Sequence, residues 1–261
     1  LVLHTPGTVF PGPYTYKRFW FRDAAFIVNA LLCLNLTDRA QRILRTFPAK
    51  QSLRGFFHSQ TGEWDSNGAA LWSLHRYCLT TQSNPLPEWE KPILKGARWI
   101  GRKRVREDSD ALHAGLLPAG FSAEHLGNND YYYWDDFWSV AGLISAADML
   151  DMLGNTQAVR DCRDEANRLT SAIEESLKRS EHIRRCEAIP ASPYRRMDAG
   201  AVGSLAASYP LQLLPPRDSR ILGTTDYLRR EVFVQGAFFQ QMIHSGLNPY
   251  LTLHVAQVLL R

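Results

Sequence analysis

The stretch from Tyr131 to Trp138, YYYWDDFW, sets two adjacent carboxylates among six large rings that could otherwise be buried. An acid desolvated by aromatic neighbours has its charged form disfavoured and its pKa raised, so it can stay a proton donor near neutral pH. Tyr and Trp rings also give sugars a flat surface to stack on, while their OH and NH groups bond hydroxyls. Acids in such surroundings suggest carbohydrate chemistry by general acid catalysis.

Helix geometry limits what Asp135 and Asp136 can do together. Adjacent residues point about 100° apart on a helix, so both carboxylates cannot face one scissile bond as an acid and base pair. At most one of them acts directly on that bond. A structural interpretation also remains open, because an Asp beside a buried aromatic stripe can cap the helix or bind a nearby Arg.

The composition is that of an ordinary globular protein. The 261 residues include 45% hydrophobic and 21% charged types, with a net charge of +4, which permits a sizeable core and argues against disorder. The basic residues are scattered except around 102–106, RKRVR. We interpret that run as a solvated helix end that complements the helix dipole, which argues against a nucleic acid partner.

The cysteines and the apolar runs bear on the compartment. Cys33, Cys78, Cys162 and Cys186 lie far apart, without the close pairs of zinc or redox motifs, and are predicted to be buried thiols. The sequence has neither a signal sequence nor an apolar run of membrane-spanning length, which predicts a cytoplasmic protein without a membrane partner. Because the sequence begins at Leu1, a leader or an upstream segment could have been removed.

Apolar residues recur at helical spacing through most of the chain, which predicts an all-α protein. In pairs such as 131–153 and 155–180 the first segment is more apolar and the second more amphipathic, which is typical of helical hairpins in two layers. Asp38, Ser66 and Asn155 are placed as helix start signals. The predicted helices span residues 20–35, 38–47, 66–81, 87–106, 131–153, 155–180, 198–213, 218–230, 236–245 and 248–261.

Three short segments together carry a resemblance to a known family. Residues 16–25, YKRFWFRDAA, look like an aromatic-x-Arg-Asp-Ala/Ser signature at the start of an inner helix. Residues 64–72, WDSNGAALW, are similar to the acidic, Gly-containing start of the next inner helix, and 134–136, WDD, to a general acid motif. With Met197-Asp198-Ala199 at a further inner helix, the chain resembles the six-hairpin glycosidases, most closely the glucoamylase-like and glycogen-debranching-like enzymes.

The resemblance implies an all-α, (α/α)6 toroid as a single catalytic domain over residues 1–261, which would act in carbohydrate metabolism. It implies inverting hydrolysis of α-linked glucosides or α-glucan oligosaccharides, with Asp135 as the proton donor and Asp136 helping to set its pKa. Asp stands here in place of the Glu that glucoamylases use, as it does in trehalases. A carbohydrate substrate is the implied partner, and the residues indicate no metal or other cofactor.

Inversion requires a second carboxylate about 6.5 to 9.5 Å from the acid, so that a water molecule fits at the anomeric carbon. The resemblance places this base after the last helix seen here, beyond Arg261, and the chain has fewer helices than six complete hairpins require. We therefore expect an incomplete ring, a fragment lacking N- and C-terminal parts, and an incomplete hydrolytic site. Glu187 and Glu231 are the internal alternatives for the base, although Arg neighbours favour salt bridges for Glu231.

Candidate sugar-binding residues surround the three motifs. Arg22 and Asp23, at a helix start, could bind adjacent hydroxyls of one sugar through charge-assisted bonds, or else serve as a packed Arg and a helix cap. The segment after Trp64 also fits an ordinary turn and cap. Glu124 lies in the loop before the aromatic run, where His125 alone does not suggest a metal. The full set is Trp20, Arg22, Asp23, Trp64, Asp65, Asn67, Glu124, Tyr133 and Trp134.

Two other classes of function remain open, because one fold can host many reactions. The first is another toroid enzyme. A terpene cyclase needs a further acid one turn after the Asp135-Asp136 pair, but residues 137–140 are FWSV. A sugar epimerase needs paired inner His residues, whereas most His residues here lie in loops or on amphipathic faces. The second is a non-hydrolytic toroid that binds sugar or regulates, which the absence of a base carboxylate would favour.

Overall fold

The structure is a computed structural model that describes residues 4–5, 8–14, 16–108, 110–121, 129–184, 187–241 and 245–261. Helices dominate, which confirms the predicted all-α class. They are α1 (Phe21–Cys33), α2 (Thr37–Leu44), α3 (Ser66–Thr81), α4 (Glu90–Lys103), α5 (Tyr133–Met152), α6 (Thr156–Arg184), α7 (Ser219–Glu231) and α8 (Pro249–Leu260). Short 3-10 helices cover Pro48–Lys50, Pro87–Trp89 and Ala199–Ala207. Across these ranges, none of the helices has the length and apolar character needed to cross a membrane.

The strands are short and antiparallel. Strands β1 (His4–Thr5) and β2 (Thr8–Val9) form a two-stranded ladder. The second sheet has the order β3 (Phe233–Val234), β4 (Ala237–Gln240) and β5 (Gly246–Leu247).

Contacts divide the chain into two compact units. The first unit comprises Leu1–Lys103 and Trp138–Arg168, and the second comprises Arg104–Phe137 and Leu169–Arg261. Helices α5 and α6 each contribute residues to both units.

The core of the first unit is built on α3, whose residues from Ser66 to Leu74 are all buried. Its partner in the hairpin, α4, buries one face only, which agrees with the predicted alternation of apolar and amphipathic helices. Gly68 permits close backbone contact with α5, because a Cβ there would lie 2.1 Å from the carbonyl oxygen of Trp138. Trp138 in turn makes edge-to-face contacts with Phe26 and Trp72, at centroid distances of 5.9 and 5.5 Å.

The core of the second unit surrounds the 3-10 helix Ala199–Ala207, which is buried along its whole length. Side-chain bonds to backbone atoms tie it to its neighbours. Ser204 Oγ donates to the carbonyl of Pro190 at 2.7 Å, and Tyr227 OH donates to that of Met197 at 2.7 Å. These bonds satisfy polar groups that would otherwise be buried alone.

The helix predicted over 236–245 is wrong, because Ala237–Gln240 form strand β4; residues 242–244 lie outside the described residues. Gln235 and Gly236 both have positive φ, at 51° and 79°, and they join β3 to β4 as a two-residue hairpin turn. The helix predicted over 198–213 is a shorter 3-10 helix, since Gly200 and Gly203 lower helix propensity and Pro210 lacks the required N–H.

The cysteines differ from expectation at one position. Cys78 and Cys162 are buried thiols as predicted, and burial raises the pKa of each to about 11. Cys33 is exposed, which corrects the prediction that it is buried, because it is the last residue of α1 and points away from the core. Cys186 lies outside the described residues.

Candidate functional site

The first group of candidate residues lies in the first unit, at the start of α1. Arg22 is buried in the first turn of that helix, and its Nη1 lies 3.2 Å from Asp65 Oδ2. Its Nη2 lies 3.5 Å from Glu63 Oε1. One guanidinium therefore holds two buried carboxylates from the segment before α3, which compensates charges that would be costly to bury alone.

Trp20 and Asp23 flank Arg22 at this helix start. Trp20 is the N-cap residue of α1 and is partly exposed, and the guanidinium carbon of Arg18 lies 4.2 Å from its ring centroid. Asp23 is half-buried in the first turn, where a negative charge complements the helix dipole. The structure places both residues beside Arg22, as the motif predicts; their contact with sugar stays a prediction.

The second group opens α3. Trp64 is buried among aromatic rings, with Phe56 at 5.7 Å and Trp99 at 6.0 Å between centroids. Asn67 is fully buried at 0% exposure, and its side-chain amide forms hydrogen bonds with three backbone groups. Its Oδ1 accepts from the Phe57 N–H at 2.8 Å, and its Nδ2 donates to the carbonyls of Gly55 and Gly96. These bonds make Asn67 a positioning residue for the segment before α3.

The third group lies in the second unit, in the first turn of α5. Asp136 is 0% exposed, and its Oδ1 accepts a hydrogen bond from the backbone N–H of Leu117 at 2.8 Å. Burial raises the pKa of Asp136 to about 8, although this bond and the charge of Arg104 act in the opposite direction. Burial therefore favours the neutral form of this carboxyl group. The aromatic run predicts a raised pKa for the general acid, a role that the resemblance assigns to Asp135 and not to Asp136.

Asp135 precedes Asp136 and is 1% exposed. Its backbone N–H donates to the carbonyl of Tyr132 at 3.0 Å, which fixes the first turn of the helix. Because the residues are adjacent, the side chain of Asp135 leaves the helix in a different direction from that of Asp136. Its role as proton donor stays a prediction.

Tyr133 and Trp134, the aromatic residues of this turn, are both buried. The hydroxyl of Tyr133 lies 2.8 Å from Ser176 Oγ of α6, and its backbone N–H donates to the carbonyl of Ala191 at 3.1 Å. These contacts hold the start of α5 in place. Whether either ring also touches a sugar stays a prediction.

The remaining acidic candidates are Glu124, Glu187 and Glu231. Glu124 and His125 lie outside the described residues. Glu187 and Glu231 have exposed side chains in the second unit. In the part of the chain that the structure describes, no group of three or more His, Cys, Asp and Glu side chains is arranged to hold a metal ion.

Sequence reasoning missed Glu63. It lies directly before Trp64 and Asp65, and this position next to a predicted motif is the one feature of the sequence that could have indicated it. Its ion pair with Arg22 joins residues 41 positions apart, a pairing that local patterns do not predict.

No protein-family model matches this chain, and no curated protein matches it in sequence. Among solved structures, it is similar to a wild-type glycosidase with a TM-score of 0.68 and 14% identity, over 98% of this chain and 74% of that chain. It is also similar to a glycosidase variant in complex with glucose, with a TM-score of 0.59, 15% identity and the same coverage. The chain has a glycosidase-like fold. This likeness confirms the predicted all-α, toroid-like class.

Proposed function

We propose that this protein is a glycoside hydrolase that cleaves α-linked glucosides or α-glucan oligosaccharides with inversion. The observation that carries the proposal is the first turn of α5, where two adjacent carboxyl groups are almost completely buried among aromatic rings and one has its pKa raised to about 8. The glycosidase-like fold supports the reaction class. The glucose bound to a neighbour of the same fold supports glucosides as substrates.

In the proposed reaction, Asp135 donates its proton to the glycosidic oxygen as the bond to the anomeric carbon breaks. Water attacks the opposite face of the sugar, and a base carboxylate takes up the proton that the water loses. The assignment of this role to Asp135 rests on the resemblance of Trp134-Asp135-Asp136 to a general acid motif, and burial raises the pKa of Asp136 beside it. The hydrogen bond that Asp136 Oδ1 accepts from the Leu117 N–H holds Leu117 against the first turn of α5.

The same proposal gives the first unit a role in binding the sugar. Arg22 and Asp23 bind hydroxyl groups through charge-assisted bonds, which are stronger than bonds between neutral groups. Glu63 and Asp65 hold the Arg22 guanidinium in one orientation. The partly exposed ring of Trp20 supplies apolar surface beside them.

Glucose release from maltose, isomaltose, trehalose and a longer α-glucan, measured with the longest available gene product, tests the proposal. We expect release from at least one substrate, and a loss of about 100-fold or more in Asp135→Asn, the usual range for a general acid. Asp151→Asn is the matched control, because Asp151 is exposed on the same helix. Circular dichroism establishes that each variant is folded.

Each result has a direct interpretation. Equal release by the protein and a folded Asp135→Asn variant would exclude Asp135 as the acid. No release from any substrate, together with glucan binding in equilibrium dialysis, would replace the hydrolase with a sugar-binding protein. The substrate that is cleaved fastest identifies the preferred linkage.

A further inference from the structure

A cavity of about 350 Å³ lies in the first unit, against the C-terminal end of α4. Its lining residues are Arg54, Trp99, Arg102 and Lys103. The three charged side chains are all cationic, and none of them forms a salt bridge with the residues that the structure describes. The cavity is within the size range of small-molecule sites, about 300 to 1,000 Å³.

The backbone around this cavity is held in place. Arg102 Nη2 donates to the carbonyl oxygen of Arg54 at 2.8 Å, which joins the loop to the end of α4. Gly55 has a φ of +96°, and a Cβ there would lie 2.3 Å from the Lys95 carbonyl oxygen, so the loop lies directly against the helix. The buried amide of Asn67 donates to the Gly55 carbonyl at 3.0 Å. The cationic groups are therefore presented by a fixed backbone.

Aromatic rings form the rest of the surroundings. Trp99 is half-buried, and one side of its ring is stacked on Phe56 at 4.5 Å between centroids and 18° between planes. Lys103 Nζ lies 3.9 Å from the ring centroid of Trp64, a cation–π contact. Burial lowers the pKa of Lys103, so the ammonium group is partly desolvated.

This arrangement differs from a solvated helix end that only complements the helix dipole. A solvated end leaves its cations extended into water, whereas here Lys103 packs on Trp64 and Arg102 bonds the loop backbone. Like charges that share one cavity repel each other, and an anion relieves that repulsion. Arg and Lys together match phosphate, since guanidinium groups bind its oxygens in pairs and ammonium acts as a point charge.

We propose that this cavity binds a sugar phosphate, with the phosphate bound by Arg54, Arg102 and Lys103 and the sugar ring packed on Trp99. The phosphate provides the charge that these cations require, and the indole provides the flat surface that a sugar ring needs. This site goes beyond the proposed hydrolase function, because ligand binding here requires no turnover.

Isothermal titration calorimetry of the full chain tests the site with glucose 6-phosphate, inorganic phosphate and glucose as probes. We expect glucose 6-phosphate to bind at least tenfold more tightly than phosphate. Saturating glucose should leave that affinity unchanged within twofold, which separates this site from a sugar site used in hydrolysis. Arg102→Gln and Arg54→Gln should each weaken glucose 6-phosphate binding at least tenfold.

The matched control is Arg98→Gln, which removes the same charge from the exposed surface of α4 outside the cavity lining. It should change the affinity by less than twofold. An equal loss in Arg98→Gln and Arg102→Gln would show attraction by overall charge and overturn the site. Equal affinity for phosphate and glucose 6-phosphate would overturn the sugar contact, and no binding of either probe would overturn the whole proposal.

Discussion

At the scale of single residues, Asp136 is notable for a buried carboxyl group of which only one oxygen is hydrogen-bonded. One carboxyl oxygen accepts a backbone hydrogen bond, while the other, Oδ2, is buried with no hydrogen-bond partner among the described residues. A charged group in that position is costly, and protonation reduces the cost. The raised pKa therefore also makes the free energy of unfolding depend on pH.

Asp136→Asn should make stability less dependent on pH. The folded-state pKa of Asp136, about 8, lies above that of an unfolded chain, so the folded state binds the extra proton. The contribution is fully present below the unfolded pKa, near pH 4, and is lost as the pH rises towards 8. We expect the stability of Asp136→Asn relative to the parent to rise by up to about 1.4 kcal/mol per pH unit across that window.

Urea unfolding at pH 5, 6, 7 and 8 measures this difference. Asp151→Asn, on the exposed surface of the same helix, controls for the substitution itself. A difference between Asp136→Asn and the parent that does not change with pH would contradict the raised pKa.

Arg22 is the second residue whose charge should be tested by removal. Arg22→Gln leaves Glu63 and Asp65 buried without their shared cation, which should cost about 3 to 5 kcal/mol of unfolding free energy. Lys17→Gln removes a charge from an exposed side chain and should change stability by less than about 0.5 kcal/mol. Chemical denaturation compares the two. A loss below about 1 kcal/mol in Arg22→Gln would show that the ion pairs contribute little.

At the scale of elements, the contact between α3 and α5 depends on two glycines. A Cβ at Gly68 would meet the carbonyl oxygen of Trp138 at 2.1 Å, and one at Gly142 would lie 2.6 Å from the Gly68 Cα. Both contacts are with backbone atoms, which cannot rotate away. The absence of side chains at Gly68 and Gly142 lets the helix backbones approach closely.

Gly68→Ala should therefore destabilise the protein by about 3 kcal/mol or more, at the upper end of overpacking effects. Gly246→Ala is the control, since a Cβ there meets nothing within 4 Å. Thermal unfolding of both variants measures the effect. Equal melting temperatures for Gly68→Ala and Gly246→Ala would mean that α3 and α5 can separate without cost.

Elements with strong local signals could be predicted from the sequence. Helix α3 spans the predicted residues 66–81, although its N-cap residue is Asp65 and Ser66 is the first residue of the helix. Strand β4 could not be predicted, because the periodicity of residues 236–245 resembles that of a helix. The Gln235-Gly236 turn forms a hairpin only when β3 pairs with β4. The candidate site also combines features that follow from local sequence with contacts between residues distant in sequence. Aromatic neighbours predicted a raised pKa within the Asp135-Asp136 pair, but did not predict that it belongs to Asp136, whose bond from Leu117 joins residues 19 positions apart.

At the scale of the whole molecule, the fold and the chemistry rest on different observations. An all-α, toroid-like fold is shared with solved glycosidases at 14% identity, and a shared fold can host different reactions. Inversion is therefore a property to be measured on the products. In an inverting reaction a single displacement by water changes the configuration at the anomeric carbon, whereas two successive displacements retain it.

With a longer α-glucan as substrate, the proposed inverting reaction should release glucose first as the β-anomer. Proton NMR in the first minutes distinguishes the two anomers, because their anomeric signals are separate and mutarotation is slow on that scale. Asp135→Asn is the control, since without the proposed acid neither anomer should accumulate above the uncatalysed rate. Early formation of α-glucose would require a carboxylate nucleophile about 5 to 5.5 Å from the acid in place of a base that activates water. It would assign a retaining mechanism to this protein in place of inversion, with Asp135 still the proposed acid.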